Sequence, residues 1–231
     1  MNRDLAIAAP PLAVREALER QSAALADYSL EVFLEFDFLD HNILGGQLTG
    51  GHIVTYLARE ADRMADELLA STGQPVPTPN RSRRWELSEG GNERPGAVMV
   101  DDIHESTLRL REAIASVADW SAVSEEVRGI PARRLLQLAV HLVDLGRGWD
   151  QLAHEDAAAA ASVLSDVLQP ELSGYRLIVS DVTADLSWAR AGDLVSVTGA
   201  PAALVAWASG RTSDLADLPS DIPTPPLRVW I

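Results

Sequence analysis

A chain of 231 residues, 47% hydrophobic and 23% charged, suits one large domain or a helical domain with a smaller second one, and is too apolar for extensive disorder. Its net charge of -15 repels a phosphate backbone, and the largest basic island, Arg81, Arg83 and Arg84, is too small to reverse that, so nucleic acid is excluded as a partner. With no cysteine the chain has no thiol of its own for covalent or redox work and no need of an oxidising compartment; any thiol chemistry would have to come from a cosubstrate.

The apolar stretch from Leu5 to Val14 is interrupted by Pro10 and Pro11 and followed at once by Arg15, a poor signal-peptide core. No run approaches the roughly 18 apolar residues of a membrane span. The expected setting is the cytoplasm, with no membrane partner.

Pro11 suits a first helical turn, and Leu12, Val14, Ala17, Leu18, Ala24, Leu25 and Leu30 recur at helical spacing, which predicts a first helix over 11–36. A turn-rich stretch holding Gly45, Gly46, Gly50 and Gly51 follows, and Thr49 is the candidate cap of a second helix to Ser71 that buries Ile53, Leu57, Met64 and Leu68. Residues 73–96 are rich in glycine and proline and read as a long loop, the kind that covers sites. We expect this loop to cover the bundle's interior and to bring Arg81, Arg83 or Arg84 toward an anionic ligand.

A third helix is predicted over 97–120, with Val100, Ile103, Leu108, Leu110, Ile114 and Val117 as its apolar positions. Pro131 opens a fourth, running to Leu145 and ended by Gly146 and Gly148. The alanine run 157–161 leads into a fifth, stopped by Pro170. From there the pattern changes: 175–179, 185–188 and 193–197 are short, β-rich and separated by turn residues, as in a small antiparallel sheet. A short helix from Pro201 to Trp207 and a proline-rich tail complete the chain. The fold class is α+β, a four-helix bundle over 1–153 with a small α+β domain over 154–231.

In the fourth helix Arg134, Gln137, His141 and Asp144 fall at offsets 0, 3, 7 and 10, one continuous face of an otherwise almost wholly apolar helix. Such a stripe either meets solvent or lines an internal cavity. The second helix carries His52 and Tyr56 one turn apart, with Arg59 and Arg63 continuing that face. If the two helices face each other, His52, Tyr56, Gln137 and His141 converge.

At these positions the sequence resembles a known family. Gly51-His52-Ile53-Val54-Thr55-Tyr56-Leu57-Ala58-Arg59-Glu60-Ala61-Asp62 is similar to the family stretch Gly-His-Val-x-x-His-Leu-Ala-Arg-Asn-Ala-Asp. The segment Gln137 to Leu145 is similar to Glu-x-x-x-His followed by Val-Asp-Leu, and Val197 to Pro201 with Trp207 to Arg211 resemble the family's second domain. The family is that of the mycothiol-dependent maleylpyruvate isomerases, DinB-like bundles carrying a domain that resembles a sterol-carrier protein. The resemblance implies zinc held by a His-Glu-His set and a mycothiol sulfur activated by that metal for addition to an electrophile. Metal binding would lower the thiol pKa, and mycothiol would supply the sulfur nucleophile this chain lacks. It also implies that Arg211 lies near the active site, where a guanidinium suits a carboxylate.

Here the first ligand position is Tyr56, the second is Gln137, and only His141 keeps its type. Neutral glutamine is a poor zinc ligand and tyrosine an uncommon one. His52 matches a histidine of intact members, which points to a supporting job. The expected activity is therefore an isomerase- or cyclase-like reaction on a small electrophilic or anionic molecule, metal-free and using acid-base chemistry. Its catalytic residues are Tyr56, His141 and Gln137, and its substrate-binding residues are His52, Arg59, Arg84 and Arg211. His141 is expected to titrate near neutrality. Two alternatives stand beside this: a mycothiol-dependent isomerase or S-transferase with a rearranged metal site, and a non-catalytic protein that binds a small ligand. Recruitment to a biosynthetic pathway is expected, and a monomer is compatible with the sequence.

Overall fold

The computed structural model describes residues 10–32, 42–43, 48–76, 94–167, 175–179 and 195–211. The elements are α1 (Leu12–Val32), β1 (Asn42–Ile43), β2 (Leu48–Thr49), α2 (Gly50–Ser71), α3 (Gly96–Ser116), the single turn α4 (Glu125–Arg128), α5 (Ile130–Asp144), a 3-10 turn (Trp149–Gln151), α6 (His154–Val167), β3 (Tyr175–Val179), β4 (Val195–Gly199) and α7 (Pro201–Ala208). Among these residues no helix is long and apolar enough to cross a membrane.

Four helices close the bundle: α2 packs on α3 and α5, and α1 packs on α3 and α5. Its middle is filled by Leu18 and Leu25 of α1, Ile53, Val54 and Leu57 of α2, Met99 and Ile103 of α3, and Leu138 and Leu142 of α5. A second apolar cluster, from Met64 and Leu68 to Leu110, Trp120 and Ile130, seals one end. The four residues expected to form the buried side of the second helix are all fully buried. Leu12 and Leu108, counted among the apolar positions of their helices, are 61% and 53% exposed. Leu12 stands at the first turn of α1, and Leu108 lies two residues from the buried Leu110, about 200° round the helix.

A third cluster reaches beyond the bundle. It runs from Val14 and Ala17 through Leu136 and Val140 to Ala160, Leu164, Leu177, Val197, Leu204 and Trp207. The C-terminal elements thus share an apolar core with α1 and α5, and the proposed division at 153/154 falls immediately before α6, which takes part in it. One buried carboxylate reinforces this seam. Asp156 of α6 accepts from Gln21 Nε2 at 2.5 Å and pairs with Arg20 Nη2 at 2.7 Å, both on α1.

The two C-terminal strands correct one expectation. β3 and β4 pair parallel, Tyr175 opposite Val195 and Val179 opposite Gly199, rather than antiparallel. Parallel neighbours need a long connection that returns the chain to the same end. Residues 180–194 provide that length; the strand expected at 185–188 lies outside the described residues. The α7 helix follows β4 directly and is buried along nearly its whole length, with Tyr175 meeting Trp207 edge to face at 5.1 Å.

Candidate functional site

The polar stripe of the fourth predicted helix, here α5, is turned inward. Arg134, Gln137 and His141 are 1%, 3% and 0% exposed, and the Asp144 side chain 2%. The helix is flanked by α1, α2 and α6, so no face wide enough for a solvated stripe is left. Opposite, α2 presents Tyr56, half-buried against the central apolar cluster.

These groups form a chain. Gln137 Nε2 donates to the Tyr56 hydroxyl at 3.2 Å, and Gln137 Oε1 lies 3.5 Å from Arg134 Nη1. Since a guanidinium can only donate, the amide must turn its oxygen to Arg134 and its nitrogen to Tyr56. The Tyr56 and His141 rings meet edge to face, centroids 5.5 Å apart. His141 Nδ1 lies 2.9 Å from Asp144 Oδ2. Asp144 is gripped in turn by Arg211, Nε to Oδ1 at 3.1 Å and Nη2 to Oδ2 at 2.7 Å, while Arg211 Nη1 donates to the Ser209 carbonyl at 2.6 Å. Positive φ at Gly210 (73°) turns the chain out of α7 just before Arg211.

Burial and neighbouring charge set the protonation states. Burial, helped by the charge of Glu60, pushes the Tyr56 hydroxyl up to about 12 against the opposing pull of Arg134, Arg63 and the Gln137 hydrogen bond, so it stays a protonated donor. Burial pushes His141 below the usual imidazole range; the hydrogen bond and charge of Asp144 oppose this, and Arg211 and Arg134 add to it. For Asp144 burial works against ionisation, but the hydrogen bonds from His141 and Arg211 together outweigh it and hold the carboxyl below its ordinary value. An ionised Asp144 can only accept, so a neutral His141 carries its proton on Nδ1 and its lone pair on Nε2. Burial beside two guanidinium groups thus moves His141 below the near-neutral titration expected of it and favours the neutral ring at pH 7.

The remaining site expectations fall in different places. His52 closes the N-terminus of α2, its Nδ1 accepting from the Thr49 backbone N–H at 3.2 Å and lying 2.8 Å from Thr49 Oγ1. Arg59 is exposed, and Arg63 is held by Glu60 and Glu67. Arg84, like the rest of residues 77–93, lies outside the described residues, and so does the expected approach of that loop to the site. Asp144 and Arg134 belonged to the sequence stripe without being assigned a role. The i, i+3 spacing of His141 and Asp144 was the available signal for the first.

At the positions where the family resemblance implies metal ligands, His141, its Nδ1 held by Asp144, keeps the form of a zinc ligand, but the other two are a phenol kept protonated and a neutral amide. Zinc is bound by thiolate, imidazole and carboxylate groups, and this set does not fit it. Among the described residues no group of three or more His, Cys, Asp or Glu side chains gathers elsewhere.

By class, then, the molecule is a four-helix bundle joined to a small α/β unit, with a buried polar chain between two bundle helices and the C-terminal segment. Its fold is that of a mycothiol-dependent maleylpyruvate isomerase, whose crystal structure matches it with a TM-score of 0.68 at 20% identity, over 94% of this chain and 97% of that one. A histidine-to-alanine variant of a mycothiol-dependent maleylpyruvate isomerase matches with the same figures. No protein-family model and no curated protein matches the chain.

Proposed function

We propose that this protein is an isomerase- or cyclase-like enzyme acting on a small electrophilic or anionic molecule by acid-base chemistry between α2 and α5, without a metal. One observation carries the reading: a buried histidine with Nδ1 2.9 Å from the Asp144 carboxylate and the Tyr56 ring edge-on against it, an arrangement that favours the neutral Nδ1–H tautomer. Neutral His141 is a base through Nε2, and the imidazolium formed when it takes a proton is stabilised by the carboxylate behind it. Tyr56 donates a hydrogen bond to the oxygen on which charge develops, and Gln137, fixed at both ends, orients the hydroxyl. Arg211 holds Asp144 in place and in its ionised state. The likeness in fold to an enzyme named as an isomerase supports the class of reaction.

Maleylpyruvate, named for the structural neighbour, is the first substrate to try. The protein, purified without a histidine tag, is expected to contain no stoichiometric zinc, and its turnover is expected to be unaffected by a chelator, added zinc or mycothiol. Turnover that needs zinc or mycothiol would favour a rearranged thiol-activating site. Ligand binding with no turnover of any carbonyl electrophile offered would favour a binding protein.

A further inference from the structure

Arg134 is the largest fully buried side chain in the molecule's described interior, 1% exposed. Its Nη1 donates to the Leu57 carbonyl of α2 at 2.9 Å and lies 3.5 Å from Gln137 Oε1. Its Nε and Nη2 are buried and have no hydrogen-bond partner among the described residues. The carboxylates nearest along the two helices are committed elsewhere: Glu60 to Arg63, Asp144 to His141 and Arg211. Burial brings the group down to about 10 against the opposing influence of Tyr56 and the charge of Glu60, which still leaves it cationic at pH 7.

A buried cation with no carboxylate bonded to it costs several kcal/mol. Hydrogen bonds to a helix carbonyl and to an amide oxygen do not call for a charge, and a neutral side chain of the same length would fill the volume without that cost. The geometry says what is missing. Nε and Nη2 lie along one edge of the guanidinium, and this edge presents two parallel N–H groups to a planar acceptor. Arg211 uses the same two atoms to hold the two oxygens of Asp144. In Arg134 the equivalent edge has no partner among the described residues, and the residue lies one helical turn from Gln137, whose amide reaches Tyr56.

We propose that Arg134 is the anchor for a carboxylate of the ligand, taken side-on through Nε and Nη2, so that the molecule bound next to Tyr56 and His141 is a small organic acid. This rests on the reading of that cluster as a ligand site, and it adds the ligand's charge and the residue that fixes its orientation. A guanidinium edge also accepts phosphate, and inorganic phosphate is the comparison ligand.

The experiment measures binding of maleate and of inorganic phosphate by titration calorimetry, together with thermal unfolding at increasing concentrations of each. The wild-type protein is expected to bind maleate in preference to phosphate and to be stabilised by it. Arg134→Met is expected to fold with an unfolding temperature no lower than wild type and to bind maleate at least tenfold more weakly. Arg134→Lys, which keeps the charge but loses the two-donor edge, is expected to fall between them. Arg111→Met, which removes an exposed arginine paired with Glu19 away from the site, is expected to bind maleate like wild type. Undiminished binding by Arg134→Met overturns the inference, as does a wild-type protein that binds no maleate at tens of millimolar or prefers phosphate. A large fall in the unfolding temperature of ligand-free Arg134→Met also overturns it, by making Arg134 a structural tether. If maleate binds through Arg134 while Tyr56→Phe and His141→Ala turn over substrate normally, the acid-base reading fails and this one stands.

Discussion

Replacing His141 by alanine is expected to lower turnover by about 100 to 10,000-fold, the range over which a positioned acid-base group contributes. The effect should fall on kcat more than on KM, because proton transfer occurs in the transition state while ligand placement rests on other groups. Tyr56→Phe removes the donor to the developing oxyanion and is expected to cost about 100 to 1,000-fold. It leaves Gln137 Nε2 without its acceptor, so its stability must be measured alongside. His141→Gln keeps a donor within reach of Asp144 and serves as the folding control. Steady-state rates for the three variants check the expectation. Full activity in both His141→Ala and Tyr56→Phe would remove the catalytic role assigned to the pair.

Asp144→Ala has the largest expected effect on stability. Its carboxylate joins α5 to the segment following α7, with side-chain exposures of 2% for Asp144 and 10% for Arg211. Removing one partner of such a buried pair costs about 3 to 5 kcal/mol, chiefly because the other charge is stranded. The same network dictates how stability depends on pH. Both folded-state pKa values lie below the unfolded ones, so in the intervening windows the unfolded chain binds more protons and stability falls as pH falls. For His141 the loss begins as pH drops through about 6.5, and for Asp144 as it drops through about 3.9. Chemical unfolding at a series of pH values should show a decline from about pH 6.5 downward in wild type. That upper limb should be missing in His141→Gln. A wild-type profile flat between pH 7 and 5 would contradict the buried neutral imidazole.

Much of the bundle is legible in the sequence because helical periodicity is local. Ile53, Leu57, Met64 and Leu68 follow one another at steps of four, seven and four residues, and all four are core. The stripe Arg134, Gln137, His141 and Asp144 was equally visible, but spacing alone cannot say whether a polar face meets water or protein. That depends on α1, α2 and α6 closing round α5, which is a property of the tertiary packing. The parallel register of β3 and β4 was illegible for the same reason: alternation marks a strand and not its neighbour's direction. The two arginines of the site illustrate the limit most sharply. Arg211 and Arg134 carry the same group, and only the structure shows that one has a carboxylate within reach and the other a buried edge with no partner among the described residues.

His141 and its protonation state hold the account together, and ring-nitrogen NMR reads them directly. The chain has five histidines, and the His141→Gln variant identifies the signal in a long-range proton–nitrogen correlation spectrum of protein labelled at histidine. At pH 7 His141 is expected to be neutral with its proton on Nδ1, and its nitrogens are expected to stay unmoved on addition of one equivalent of zinc. A His141 imidazolium at pH 7, or a zinc-dependent displacement of its ring nitrogens with stoichiometric uptake of the metal, would contradict a metal-free acid-base site.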